Sequence, residues 1–102
     1  MRVIFFGTPD FAVPTLRRLT ERHDVALVVT RPDRAIGRRG QVVSPPVADV
    51  ARELNLDLFQ PPNPNHQTSL ETIGSYAPEV LVVVAYGRFI GARLMEVAPL
   101  GA

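Results

Sequence analysis

Residues 3–14 read Val3-Ile4-Phe5-Phe6-Gly7-Thr8-Pro9-Asp10-Phe11-Ala12-Val13-Pro14, and this stretch decides the fold. Its apolar run has no polar alternation, which is typical of a parallel strand covered on both faces. The run stops at Gly7, and a short turn leads into a segment with apolar residues at helical spacing. The stretch therefore predicts the first strand, turn and helix of an open parallel α/β sheet. Because such sheets bind ligands at the carboxyl ends of their strands, the turn is predicted to border a binding crevice. The alternative is that Gly7-Thr8-Pro9-Asp10 serves only as a turn and helix cap.

The same alternation of strand and helix continues along the chain. Apolar runs predict further strands at residues 25–30, 56–59 and 80–86, and helical spacing predicts helices near residues 13–22, 45–55, 70–77 and 90–97. The predicted fold class is α/β, a Rossmann-like parallel sheet with flanking helices, which in the common order 3-2-1-4 places the fourth strand at an edge. An edge strand this apolar is prone to pair with another chain. We therefore expect residues 1–102 to be part of a longer polypeptide, and the isolated chain to self-associate through its fourth strand.

Composition narrows the class of protein. The chain has 102 residues, of which 46% are hydrophobic and 21% charged, as in ordinary globular proteins. It has no cysteine, and its two histidines, His23 and His66, are more simply explained as helix-end or loop residues than as metal ligands, so no metal is expected. No apolar run approaches the roughly 18 residues of a membrane span, and no signal-type segment is seen, which predicts a cytoplasmic protein without a membrane partner.

A long arginine-rich connection follows the second predicted strand. Residues 31–46 exceed the roughly 2–6 residues of an ordinary strand-to-helix loop, and long ordered loops are usually functional. Four arginines against one aspartate concentrate positive charge within nine positions: Arg31, Arg34, Arg38 and Arg39. Guanidinium groups match phosphate oxygens in bidentate geometry, so this arginine loop is predicted to contact phosphate or an RNA backbone. A solvated surface excursion is the alternative.

A second candidate site follows the fourth predicted strand, at the same edge of the sheet as the first turn. It comprises Tyr86, Gly87, Arg88, Phe89 and Ile90. A glycine allows close approach to the backbone, and the apolar side chains suit a flat heterocycle that also hydrogen-bonds to the main chain. Packing in the core is the competing interpretation for Phe89 and Ile90.

The sequence lacks the common motifs for nucleotide binding and for catalysis. A dinucleotide fingerprint needs three glycines at G-x-G-x-x-G spacing, whereas the first turn has Gly7 alone, with Pro9 and Phe11 in the way, so NAD is not expected. The Gly-Lys-Ser/Thr of a phosphate-binding P-loop is also missing. No nucleophile with a base, and no carboxylate pair, can be assembled from the spacing.

Several short motifs occur in order along the whole chain. They are residues 7–14 as quoted above, Val29-Thr30-Arg31-Pro32-Asp33-Arg34 with Gly37-Arg38, Gln60-Pro61, Val83-Val84-Ala85-Tyr86-Gly87 and Pro99-Leu100-Gly101. Together they resemble the methionyl-tRNA formyltransferases. The resemblance implies transfer of a formyl group from 10-formyltetrahydrofolate, as cosubstrate, to the amino group of methionyl initiator tRNA. It also implies a Rossmann-like domain followed by a C-terminal tRNA-binding domain.

The resemblance assigns roles to the three candidate regions. The arginine loop (Arg31, Arg34, Arg38, Arg39) would contact the acceptor arm of tRNA, and Tyr86 to Ile90 would hold the pterin of the folate. The first turn would lie beside the aminoacyl end, through Gly7, Thr8, Pro9, Asp10 and Phe11. The family's catalytic Asn, His and Asp would follow Ala102, the first two near a Ser-Leu-Leu-Pro stretch.

Residues 1–102 are accordingly expected to be the N-terminal portion of the formyltransferase domain and to be inactive alone. Two alternatives stay open. A sugar-nucleotide formyltransferase of the same fold should lack the arginine loop and the octapeptide at residues 7–14. A non-catalytic RNA-binding α/β module would share the arginines.

Overall fold

A computed structural model describes residues 1–36 and 40–102 of the chain. The strands are β1 (Arg2–Gly7), β2 (Asp24–Val29), β3 (Arg34–Ile36), β4 (Gln41–Val43), β5 (Leu58–Phe59) and β6 (Val80–Val84). The helices are α1 (Val13–Arg22), α2 (Pro46–Glu53), α3 (Gln67–Gly74) and α4 (Ala92–Met95), with a 3₁₀ turn at Asp10–Ala12 before α1. Within the described ranges, no helix has both the length and the apolar character needed to cross a membrane.

The main sheet has four parallel strands in the order β5-β2-β1-β6. Counted as the four predicted strands, this is the order 3-2-1-4, so the predicted α/β fold class and strand order are confirmed. Strand β1 lies in the middle, where Phe5 pairs with Val28 of β2 on one side and Val82 of β6 on the other. The end of β1, and the turn after it, are thereby placed at the centre of the carboxyl edge.

Both faces of β1 are buried, as its unbroken apolar run predicts. Successive side chains of a strand point to opposite faces, and Phe5 packs with Leu16 of α1 and Val47 of α2. On the other face, Phe6 packs with Leu70 and other residues of the second core. Full burial of a side chain this large contributes about 1.5–3 kcal/mol of transfer free energy, so these two layers fix the sheet.

The structure differs from the sequence prediction in several elements, of which β5 and α4 are only shorter than predicted. Residues 31–46 were predicted as a long ordered loop without strands, but β3 and β4 pair there in antiparallel fashion, with Arg34 opposite Val43. The fourth strand ends at Val84 rather than at residue 86, because Ala85 and Gly87 take positive φ angles of 50° and 93°, which are incompatible with a strand. Helix α3 ends at Gly74 rather than near Ala77, whose φ is 49°.

Strand β6 is an edge strand that is only partly covered. The amide of Leu100 donates to the Glu79 carbonyl and the amide of Leu81 to the Gly101 carbonyl, both at 2.9 Å, so the last residues shield the start of this edge. Hydrogen-bonding directions alternate along a strand, so the main chain of Val83 faces the same outer side as that of Leu81. The Val83 side chain is itself 39% exposed.

We expect the chain to associate with rising concentration, because the edge at Val83 can pair with another strand. The substitution Val83→Lys is expected to reduce this association. Sedimentation velocity over a wide concentration range measures the effect. Val42→Lys is the matched control, since it adds the same charge at an exposed valine of the hairpin. A wild-type chain that sediments as a monomer at all concentrations would contradict the prediction.

Candidate functional site

A cavity of about 520 Å³ opens at the carboxyl edge of the sheet. Its walls come from three parts of the chain that are distant in sequence: the first turn, the hairpin β3–β4 with its flanking residues, and the loop after β6. Lining residues from these three parts include Thr8, Pro9, Arg31, Arg34, Tyr86 and Gly87. The structure therefore brings together members of all three groups predicted as site residues.

Thr8 connects the three walls. Its Oγ1 donates to the Tyr86 carbonyl at 2.6 Å and accepts a hydrogen bond from the Arg31 amide at 3.4 Å. Its own carbonyl accepts from the Val47 amide, in the first turn of α2, at 3.2 Å. A hydroxyl can donate once and accept as well, so one threonine fixes the first turn against both neighbouring loops.

Arg31 lies at the base of the hairpin and is half-buried. Its Nη1 donates to the Gly87 carbonyl at 2.9 Å, which ties the arginine loop to the loop after β6. Its Nε is buried and finds no hydrogen-bond partner among the described residues. A buried polar group without a partner costs free energy, and the fold carries this cost at a residue that lines the cavity.

Gln60, which follows β5, holds the base of the hairpin from the other side. The two N–H groups of its amide donate to the Arg31 carbonyl at 3.1 Å and to Asp33 Oδ1 at 2.8 Å. The hydrogen bond from Gln60 is the main reason that the pKa of Asp33 is lowered, and hydrogen bonding to Ser44 and the charge of Arg52 act in the same direction.

Gln60→Ala is expected to raise the pKa of Asp33 toward its ordinary value. A carboxyl whose folded pKa is depressed contributes stability above its unfolded pKa of about 3.9, and this contribution is lost as the pH falls through the folded pKa. The variant should therefore lose less stability on acidification. The measurement is an NMR titration of the side-chain carboxyl groups. Glu53 is the control in the same spectra, because its lowered pKa depends on Arg17; an Asp33 pKa that does not move would refute the assignment.

The large side chains of the loop after β6 differ in how deeply they are buried. Tyr86 is buried, and its ring packs edge-to-face on Phe6 with a centroid distance of 5.4 Å. Burial raises the pKa of Tyr86, and its hydroxyl has no hydrogen-bond partner among the described residues. Phe89 is 80% exposed, which excludes core packing for this side chain, whereas Ile90 packs partly against the core.

The other predicted site residues lie around the cavity or outside the described chain. Gly7 ends β1 and is buried, while Asp10 and Phe11 are exposed in the 3₁₀ turn after β1 and Arg88 is exposed in the loop after β6. Arg34 is exposed on β3 and lines the cavity. Arg38 and Arg39 lie outside the described residues. His23 and His66 are the C-cap of α1 and the N-cap of α3, as expected for helix-end histidines.

Two residues with evident roles at this edge were not among the predicted site residues, namely Gln60 and Asn65. Asn65 Nδ2 donates to the Phe89 carbonyl at 2.8 Å, and its Oδ1 accepts from the Gly91 amide at 2.7 Å. The available signal was positional, because a polar residue directly after a parallel strand, such as Gln60 after β5, reaches the ligand-binding edge.

A parallel sheet with a cavity at the carboxyl ends of its strands places the chain in the class of open-sheet α/β proteins. The family model described as "Formyl transferase" matches residues 1–102, which is the whole chain. The chain belongs to the formyl transferase family.

Curated relatives narrow the comparison further. The chain is 45% identical over 102 residues to the methionyl-tRNA formyltransferase of Desulfotalea psychrophila, covering 99% of this chain and 32% of that protein. It is 45% identical over 103 residues to the methionyl-tRNA formyltransferase of Mycobacterium leprae (strain TN), again covering 99% and 32%. The resemblance noted in the sequence is thus confirmed, and the chain spans about one third of the length of these relatives.

A solved structure supports the fold alone. The chain superposes on phosphoribosylglycinamide formyltransferase from Bacillus halodurans with a TM-score of 0.67, covering 95% of this chain and 51% of that chain. At 13% sequence identity, this likeness concerns the arrangement of strands and helices.

Proposed function

We propose that residues 1–102 are the N-terminal portion of an enzyme that transfers a formyl group from 10-formyltetrahydrofolate to methionyl initiator tRNA. Two curated relatives named methionyl-tRNA formyltransferase, each 45% identical to this chain, support this proposal. The observation that carries it is the cavity in which the first turn, the base of the arginine hairpin and the loop after β6 meet. A donor and an acceptor substrate must be adjacent for group transfer, and this arrangement offers adjacent surfaces of different chemistry.

The loop after β6 is suited to the folate side. The carbonyls of Tyr86, Gly87 and Phe89 are each occupied by a side chain from elsewhere in the fold. The main-chain groups of Arg88 and Ile90 make no hydrogen bond to other described residues. A pterin carries donors and acceptors along one edge of a flat ring, so these two residues can pair with it while Phe89 covers a face.

The first turn and the hairpin are suited to the RNA side. Arg31 and Arg34 line the cavity, and Arg38 and Arg39 follow in the connection between β3 and β4. Their guanidinium groups would pair with phosphates of the acceptor arm. The aminoacyl end would then lie against the first turn (Gly7, Thr8, Pro9, Asp10, Phe11), between the RNA-binding hairpin and the folate-binding loop.

The proposed reaction needs groups that the resemblance places after Ala102. The methionine amino nitrogen attacks the formyl carbon and forms a new C–N bond. The bond from the formyl carbon to folate N10 breaks, and the proton lost by the amine ends on the N10 of the departing tetrahydrofolate. The family's Asn, His and Asp would stabilise the oxyanion and move that proton. Residues 1–102 would supply binding and positioning, and we propose that they transfer no formyl group alone.

The test is a formylation assay with methionyl initiator tRNA and 10-formyltetrahydrofolate. The protein encoded by this chain together with its downstream coding sequence is expected to formylate the tRNA, and residues 1–102 are expected to give no product above background. A longer protein that formylates a sugar nucleotide but not the tRNA would replace the proposal with the first alternative. Binding of tRNA without any transfer by the longer protein would replace it with the RNA-binding module.

A further inference from the structure

Asn65 clamps the loop after β6 through both halves of its side-chain amide. Its Nδ2 donates to the Phe89 carbonyl at 2.8 Å, and its Oδ1 accepts from the Gly91 amide at 2.7 Å. An amide side chain that spans two main-chain groups in this way substitutes for a neighbouring strand. Because the carbonyl oxygen cannot donate, these partners also determine which way the amide points.

Asn65 is itself held in place. The main-chain N–H of Asn65 donates to Asn63 Oδ1 at 3.0 Å, which closes a side-chain turn over residues 63–65. The Asn63 carbonyl accepts from the buried Ser69 hydroxyl of α3 at 2.8 Å. The clamp therefore connects a fixed point on α3 to the loop after β6.

The close contact with Asn65 leaves no space for a side chain at Gly91. A Cβ added at Gly91 would lie 2.9 Å from Asn65 Oδ1, closer than real Cβ contacts, although the φ of Gly91 is an ordinary −75°. The glycine is thus required by the approach of the Asn65 amide and not by its backbone conformation. Substitutions at either position should disturb the same contact.

We propose that Asn65 is a positioning residue for the folate-binding loop, an inference that rests on the folate-binding role proposed above. Thr8 holds the Tyr86 carbonyl and Arg31 the Gly87 carbonyl, so both border the cavity while fixing one end of the loop. Asn65 fixes the other end, on either side of Ile90, without lining the cavity. The main-chain groups of Arg88 and Ile90 thereby lie between fixed points, which lowers the entropy lost when a heterocycle binds.

Two measurements on residues 1–102 test this inference. Amide hydrogen exchange of Gly91, followed by NMR, reports the clamp in the free chain. Titration with 5-formyltetrahydrofolate, a stable isomer of the proposed donor, reports binding. Asn65→Ala is expected to speed Gly91 exchange about tenfold or more and to weaken binding by about tenfold, with an unchanged urea midpoint for the rest of the fold.

The matched control is Gln67→Ala. Gln67 also carries an amide, and its Oε1 accepts from Arg93 at 2.6 Å, so it joins α3 to α4, the helices that follow the two clamped segments, without touching the loop main chain. Its loss should change neither readout. Gly91→Ala should weaken binding in the wild type but have no further effect in Asn65→Ala, because the atom that its Cβ would meet is then absent.

The outcomes separate the clamp from the proposed function. Unchanged Gly91 exchange in Asn65→Ala would overturn the clamp. Faster exchange with unchanged folate affinity would overturn the positioning role. A wild-type chain with a protected Gly91 amide that shows no folate binding would overturn the folate-binding role of this loop, and the positioning role with it, while leaving the clamp established.

Discussion

Gly7→Ala is expected to lower the free energy of unfolding by about 3 kcal/mol, because the added methyl group has no space. Its Cβ would lie 2.7 Å from Phe5 Cε2, 3.0 Å from the Val84 carbonyl oxygen and 3.1 Å from Ala12 Cβ. Phe5 is fully buried and cannot swing away. Val84 is paired with Gly7 in the ladder between β1 and β6, so moving its carbonyl would strain the centre of the sheet.

The same substitution at Gly74 is the matched control. Gly74 ends α3, its φ is not positive, and an added Cβ would have Val97 Cγ1 as its nearest neighbour at a comfortable 3.8 Å. Alanine is favoured over glycine in a helix, so Gly74→Ala should be neutral or stabilising by up to about 1 kcal/mol. Urea unfolding of both variants gives the comparison. Equal urea midpoints for Gly7→Ala and the wild type would contradict the prediction, because they would mean that the turn can accommodate the added methyl group.

The main sheet could be predicted from the sequence because burial on both faces leaves a direct signal. Phe5 and Phe6 point to opposite cores, so an uninterrupted apolar run is the expected pattern of a central parallel strand. The hairpin β3–β4 left no such signal. The residues of β4 are all exposed, with Val42 at 68%, so neither alternation nor an apolar run marks them as a strand.

The candidate site could be predicted in its location but not in its connections. Gly7 and Gly87 mark the two strand ends, which general topology places at one edge of the sheet. The hydrogen bonds from Thr8, Arg31 and Asn65 to main-chain carbonyls depend on how closely separate loops approach one another. That approach is a property of the packed sheet and leaves no trace in local spacing. The burial of Tyr86 could not be predicted from the sequence either, since tyrosine is common both in cores and in the walls of ligand sites.

In the longer protein proposed above, replacing both Arg38 and Arg39 by alanine is expected to weaken initiator tRNA binding by on the order of 10–100-fold at 0.1 M salt. Each phosphate contact releases about one counterion, so the slope of log affinity against log salt should become shallower by about 2. The reason is the position of these residues in the chain: they connect β3 and β4, beyond the cavity-lining Arg34. Filter binding or fluorescence anisotropy at four or five salt concentrations measures both quantities.

The control removes the same charge from another surface. Arg18 and Arg22 are exposed on α1, and Arg22 lies in its last turn, immediately before β2 begins at the opposite edge of the sheet from the cavity. If the effect came from net charge alone, Arg18→Ala with Arg22→Ala would flatten the slope as much as the hairpin pair. We expect the control to change the slope by less than about 0.5, since a distant charge releases no counterion from a bound phosphate. An unchanged slope in the hairpin variant would refute phosphate contact by this loop and leave a solvated surface excursion as its explanation.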